Sequence, residues 1–171
     1  QYKFKELLED IEVNGIPKSL KSDIYLARSK AYLGMANLSE AKKSIDIILL
    51  TDPNYTPAIL QNAKIKLNEN KLTEAQELLD SISKTGVYDP DYWVLKGEIA
   101  RKQKKTDQAI SYFNKALSLN KKHLVSLQAR ASLYIDNDQL ELGQEDVSNI
   151  RENFPEDLRG LMLQALLDIK N

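Results

Sequence analysis

The side chains able to move protons, attack carbon or hold a metal are few in this chain of 171 residues, and their spacing assembles no catalytic group. His123 is the single histidine and falls in a turn between apolar segments, where an exposed loop histidine is expected. Asp136 and Asp138 have the spacing that opens a calcium-binding loop, but the glycine such a loop needs at its sharp turn is Glu141 here. Six glycines are scattered at packing or turn positions and form no phosphate-cradling run. The absence of cysteine excludes disulfides, thiolate metal sites and cysteine catalysis from this segment, and it fits a reducing or an oxidising compartment equally. Asn37-Leu38-Ser39 and Asn54-Tyr55-Thr56 match the glycosylation acceptor pattern, which has meaning only in a secreted protein. The expectation is a chain that is not an enzyme, with no catalytic, cofactor-binding or metal residues.

What the sequence does space regularly is small residues. Ser29, Ala63, Gly97 and Ala131 recur at intervals of 34, and Ala41, Ala75, Ala109 and Gly143 recur at the same interval twelve residues later. A side chain no larger than a methyl group lets two helix axes approach at the crossing point of a hairpin. Large residues keep the same period: Tyr25, Ile59, Trp93 and Leu127 stand four before the first set, and Ile45, Leu79, Phe113 and Val147 four after the second. Four residues is one helical turn, so each large–small pair shares a helix face. Helix pairs are predicted at 22–35 with 39–51, 56–69 with 73–83, 90–103 with 106–119, and 124–136 with 140–152. Asn37, Asn70 and Asp136-Asn137-Asp138 mark the turns, Ser39, Thr73 and Thr106 are expected to cap the second helices, and Pro57 and Pro90 fit the first turns of their helices.

These residues give the chain a resemblance to tetratricopeptide repeat proteins. That family's pattern has a large residue at position 4, a small one at 8, a large one at 11, Ala at 20, a large one at 24, Ala at 27 and Pro at 32. The third repeat resembles it most, with Trp93, Gly97, Ala100, Ala109, Phe113 and Ala116; Tyr32 and Tyr134 fill position 11, and Pro53 and Pro155 fill position 32. Departures are Lys66 at position 11, Ile48, Ile82 and Ile150 at position 27, and Val87 and Lys121 in place of proline. The resemblance implies an all-α solenoid of antiparallel helix pairs in a right-handed superhelix. The expected domain organisation is a single array with repeats at 22–55, 56–89, 90–123 and 124–157. Residues 1–21 read as the closing half of a preceding repeat with its linker, with Phe4, Leu7, Leu8 and Ile11 on one helical stripe over 2–13, and residues 158–171 as the first helix of a further one. The piece reads as part of a longer protein, and its apolar last helix suggests that it self-associates through its ends.

The resemblance also implies where a partner binds: on the concave surface lined by the first helices, at positions such as 5, 9 and 12. Those positions carry Leu26, Lys30, Leu33, Leu60, Lys64, Leu67, Val94, Glu98, Arg101 and Ile135, with Gln128 and Ser132 completing the fourth repeat. Cochaperones of the family that grip a chaperone's terminal carboxylate have Lys and Asn where this chain has Leu26 and Lys30, so a protein or peptide offering apolar side chains suits the wall better. The expected function is a non-catalytic protein-interaction scaffold. The alternative is a structural or assembly component of a bacterial envelope machine, because the run at 26–34 and the Leu-rich closing half-repeat are similar to bacterial repeat lipoproteins of exosortase and exopolysaccharide systems.

Composition bounds the partner further. Apolar residues make up 42% and charged ones 29%, and no apolar run approaches the length of a membrane span. A net charge of −1 argues against a general nucleic-acid binder. The charge is uneven nonetheless: 96–122 is rich in lysine, whereas 136–157 is acidic. Localisation stays open between the cytoplasm and a lipid-tethered periplasmic position.

Overall fold

A computed structural model describes residues 16–170, and among these it is all helical, with no strand. The helices are α1 (Lys18–Gly34), α2 (Leu38–Thr51), α3 (Thr56–Asn68), α4 (Leu72–Ser81), α5 (Pro90–Lys102), α6 (Thr106–Leu119), α7 (Leu124–Asp136), α8 (Leu140–Asn153) and α9 (Leu158–Lys170), with a 3₁₀ turn at Gly86–Tyr88. The helix expected over 2–13 lies outside the described residues. The chain divides into two compact units, Gln1–Gly86 and Val87–Asn171.

In the first unit α1 pairs with α2 and α3 with α4. Ser29, Ala41, Ala63 and Ala75 have no accessible surface, as close crossing of the helices requires. Ile45, Ile48, Ala58 and Ile65 form the core with Ala41, and Tyr25, Tyr32, Leu33 and Tyr55 pack against its edge. Lys66, the departure from the large apolar residue expected at its position, is half-buried by its stem and reaches Glu74 on α4 with its ammonium. That hydrogen bond holds the Glu74 carboxyl below its ordinary range.

The second unit repeats the arrangement with α5 on α6, α7 on α8, and α9 on α8. A Cβ added at Gly97 would lie 2.3 Å from Cε1 of Phe113, which is fully buried, so the ring occupies the space that a side chain on α5 would need. At Gly143 the same addition would come within 3.0 Å of Cγ1 of Ile135. Leu127, Ala131, Val147, Ile150, Leu163 and Leu167 continue the core toward α9.

The turns inside the hairpins share one backbone solution. Ala36, Asn70, Lys104 and Asp138 all have φ between 57° and 60°. The next residue's N–H then reaches back five residues: Asn37 to Tyr32 O (2.8 Å), Lys71 to Lys66 O (2.8 Å), Lys105 to Ala100 O (2.9 Å) and Gln139 to Tyr134 O (2.9 Å). This is the left-handed C-terminal motif that normally takes glycine. The second helices accordingly begin one residue before Ser39 and Thr73, which lie inside α2 and α4, and Thr106 is the first helical residue of α6. Their expected caps are replaced by Asn37, whose side chain accepts the Glu40 N–H at 3.2 Å, and by Lys71 and Lys105, which cap with backbone alone.

Two substitutions with opposite signs test this packing. Gly97→Ala forces Phe113 from its seat and should lower stability by about 1–3 kcal/mol. Lys104→Gly relieves a left-handed conformation carried by a side chain and should raise it by about 1 kcal/mol. Urea unfolding of each variant beside the parent measures both.

Candidate interaction surface

The ten expected groove residues divide by burial. On α1, Leu26, Lys30 and Leu33 share a face; the two leucines are half-buried and pack on the core, while Lys30 is exposed. On α3, Leu60 and Leu67 are 6% and 5% exposed, and Lys64 stands out between them. The two helices pack on each other, with Gln61 Nε2 donating to Ser29 Oγ at 3.5 Å, so Lys30 and Lys64 occupy equivalent places on neighbouring helices. Neither ammonium has an ion-pair partner among the described residues.

In the second unit Val94 and Ile135 are core, at 4% and 2% exposed. Ile135 is held there by the glycine opposite it on α8, and Val94 by the cluster around Phe113. Glu98 is half-buried and Arg101 exposed, and the two bind each other through Nε (3.1 Å) and Nη2 (2.7 Å). On α7 Gln128 donates to Asp157 Oδ1 at 3.4 Å, and Ser132 is half-buried. The structure therefore brings an unpaired lysine together with half-buried leucines in the first unit and a self-satisfied ion pair in the second.

The groups singled out in the sequence for possible chemistry make local polar contacts. His123 stands at the start of α7 with Nδ1 2.7 Å from Ser126 Oγ and Nε2 3.5 Å from Asp91 Oδ1. Asp138 accepts from Lys170 Nζ at 2.6 Å. Among the described residues no three metal-ligating side chains converge, and no helix is long and apolar enough to cross a membrane.

Two clusters were not foreseen from the sequence. Trp93 lies edge-on to Tyr92 (5.1 Å between centroids), stacks on Tyr112 (5.9 Å, 27°) and carries Lys115 Nζ 4.4 Å above its ring, while its Nε1 donates to Val87 O at 3.0 Å. Some of the lysine charge between 96 and 122 thus faces aromatic rings. The second cluster is ionic: Asp146 on α8, 3% exposed, accepts from Arg130 Nε (2.8 Å) and Nη2 (2.6 Å), and Arg130 also donates to Asn114 on α6. The hydrogen bonds it donates to Asp146 hold the Arg130 guanidinium above its ordinary range. The spacing of 16 that joins Asn114, Arg130 and Asp146 belongs to no helical period, so it left no local signal.

Asp146→Ala leaves the Arg130 guanidinium without its carboxylate and should cost about 3 kcal/mol, whereas the double variant Asp146→Ala, Arg130→Met should recover a large part of that loss. Thermal unfolding of both variants in one buffer checks the coupling.

Residues 90–123 match the sequence model of the family described as tetratricopeptide repeat. No curated protein matches the chain. Among solved structures it is similar to a thermophilic tetratricopeptide repeat protein of Thermus thermophilus, with TM-score 0.75 and 14% identity over 96% of this chain and 87% of that one. It is similar also to a tetratricopeptide repeat protein of Parabacteroides merdae ATCC 43184 (TM-score 0.61, 19% identity, 88% of this chain and 60% of that one). A third is YrrB, a repeat protein with an unusual peptide-binding site (TM-score 0.54, 14% identity, 96% of this chain and 81% of that one). The chain spans 60% of the length of the Parabacteroides protein, and at these identities the likeness is one of fold. One full repeat of that family is matched at 90–123, and the helix pairs on both sides of it carry the same 34-residue frame.

Proposed function

We propose that this chain is a non-catalytic interaction scaffold that holds a peptide segment on the α1 and α3 face of its first unit. The observation that carries the reading is the pair Lys30 and Lys64: two exposed, unpaired ammonium groups on neighbouring helices, flanked by half-buried Leu26 and Leu33. Unpaired lysines above partly covered leucines suit a segment that carries carboxylates among apolar side chains. Charge would set its approach and register, and the leucine stems would supply contact area. Arrays of this fold present rigid surfaces, and a preorganised surface loses little entropy on binding.

Leu60 and Leu67 enter this reading as the support beneath the surface, since their side chains are covered, whereas Val94 and Ile135 are core residues of the second unit and take no part in it. Glu98 and Arg101 contribute little to it, because each already satisfies the other. The alternative, a structural or assembly component of a bacterial envelope machine, rests on the likeness of the 26–34 run and the Leu-rich end.

Selection of a displayed library of random 12-residue peptides on the chain tests the proposal. Peptides combining Asp or Glu with Leu, Ile or Phe should be enriched, and their affinity should fall about tenfold for Lys30→Glu, Lys64→Glu with the melting temperature unchanged. Enrichment of nothing, or of peptides that bind this variant equally well, would falsify it.

A further inference from the structure

Between residues 96 and 122 the carboxylates are Glu98 and Asp107, against eight basic side chains. Glu98 is taken by Arg101, and Asp107 stands in the first turn of α6, about 12 Å of helical rise from Lys115. Lys115 makes no ion pair among the described residues. Its ammonium rests instead 4.4 Å from the ring centre of Trp93 and 5.6 Å from that of Tyr112. Lys96, on α5, brings a second ammonium to the Tyr112 ring at 6.0 Å. Two cations thus converge on one ring from paired helices.

The fourth repeat shows what else this place can hold. In the 34-residue frame Lys96 corresponds to Arg130 and Tyr112 to Asp146. There the Asp146 carboxylate accepts from Arg130 Nε at 2.8 Å and Nη2 at 2.6 Å. In the third repeat an aromatic ring stands at the carboxylate's position, and a cation–π contact at an exposed site is weaker than a forked ion pair. The place is also open. Lys115 is exposed, Trp93 and Tyr112 are half-buried, and Leu119, one turn beyond Lys115 on the same stripe of α6, is 45% exposed. Tyr88, which follows the residue whose carbonyl accepts the Trp93 indole N–H, is 79% exposed. α5 and α6 stand inside the chain, with helices before and after them.

We propose that the face made by Trp93, Tyr112, Lys115 and Leu119 is a second docking surface, which takes an acidic peptide segment with an aromatic or leucine side chain beside its Asp or Glu. The carboxylate supplies the anion that Lys115 lacks on its own chain, and the apolar neighbour covers the indole and Leu119. A single-stranded nucleic acid is complemented less well, because its bases need open ring faces, and here Trp93 and Tyr112 stack on each other beneath the ammonium. The surface lies in a different unit from Lys30 and Lys64, so failure of either proposal leaves the other standing.

Trp93 is the only tryptophan of the chain, so its fluorescence reports from the proposed surface itself. Random 12-residue peptides are selected on the Lys30→Glu, Lys64→Glu variant, which removes the first surface, and the enriched sequences are synthesised without tryptophan. Peptides that pair Asp or Glu with Phe, Tyr or Leu should be enriched and should shift the Trp93 emission saturably. Their affinity should fall about tenfold when Lys115→Glu is added, with circular dichroism unchanged, and by less with Lys115→Gln. Exchange of the peptide's Glu for Gln should weaken binding to the same degree. Enrichment of nothing, an emission that does not move, an affinity indifferent to both Lys115 variants, or an oligothymidylate that binds more tightly than the peptides overturns the proposal.

Discussion

The fold depends on how closely two helices can cross. Where Gly97 meets Phe113 the space available to a side chain on α5 is already occupied by the ring, and at Ser29, Ala63 and Ala131 the crossing is closed to solvent. Dispersion and apolar burial fall steeply with a gap of even half an ångström, so the small residues convert pairs of marginal helices into cooperative hairpins. α4, with ten residues, is too short to be stable alone; it is helical because Ala75 and Leu79 have no exposed surface. The remaining choices in the chain, which residue fills the edge or which charge faces water, are made around that contact.

The same constraint explains what the sequence made legible. A contact repeated at a fixed distance writes the same residue types at a fixed interval, so the helix pairs could be placed to within a few residues from Ser29, Ala63, Gly97 and Ala131 with their partners twelve positions on. The left-handed residue of each hairpin turn is also periodic, but as backbone. Ala36, Asn70, Lys104 and Asp138 share a conformation and no chemistry. The hydrogen bond that closes the turn comes from the following N–H to a carbonyl five residues back, which any residue but proline can make. Side-chain preferences for turns and caps therefore pointed to Ser39 and Thr73, while the backbone geometry had already begun the helix before them.

The proposed interaction surface was less legible because recognition and packing draw on the same residue types. Leu26 and Leu60 hold one position in the repeat frame, yet the first is half-buried and the second covered. Val94 and Ile135 are likewise consumed by Phe113 and by the gap at Gly143. The positions that stay accessible are those where a long charged side chain can leave the packed face, as Lys30 and Lys64 do, and these gain surface identity from what the neighbouring residues fail to neutralise. Arg101 has the same exposure but finds Glu98 one turn away on its own helix. Sequence shows the charge; only the packed structure shows whether it is already answered.

The exposed lysines of the first unit and the exposed apolar side chains of α9 differ in kind. Lys30 and Lys64 offer charge in water, an interaction that acts over about a Debye length and weakens as salt rises. Leu161, Met162 and Ile169 offer apolar area, which has no reach beyond contact and is strengthened by salts excluded from protein surfaces. Charge in water and apolar area respond to ionic strength in opposite directions. In a helical repeat each hairpin is covered by the next, so the faces between hairpins are apolar, whereas the flank of a hairpin is free to carry charge.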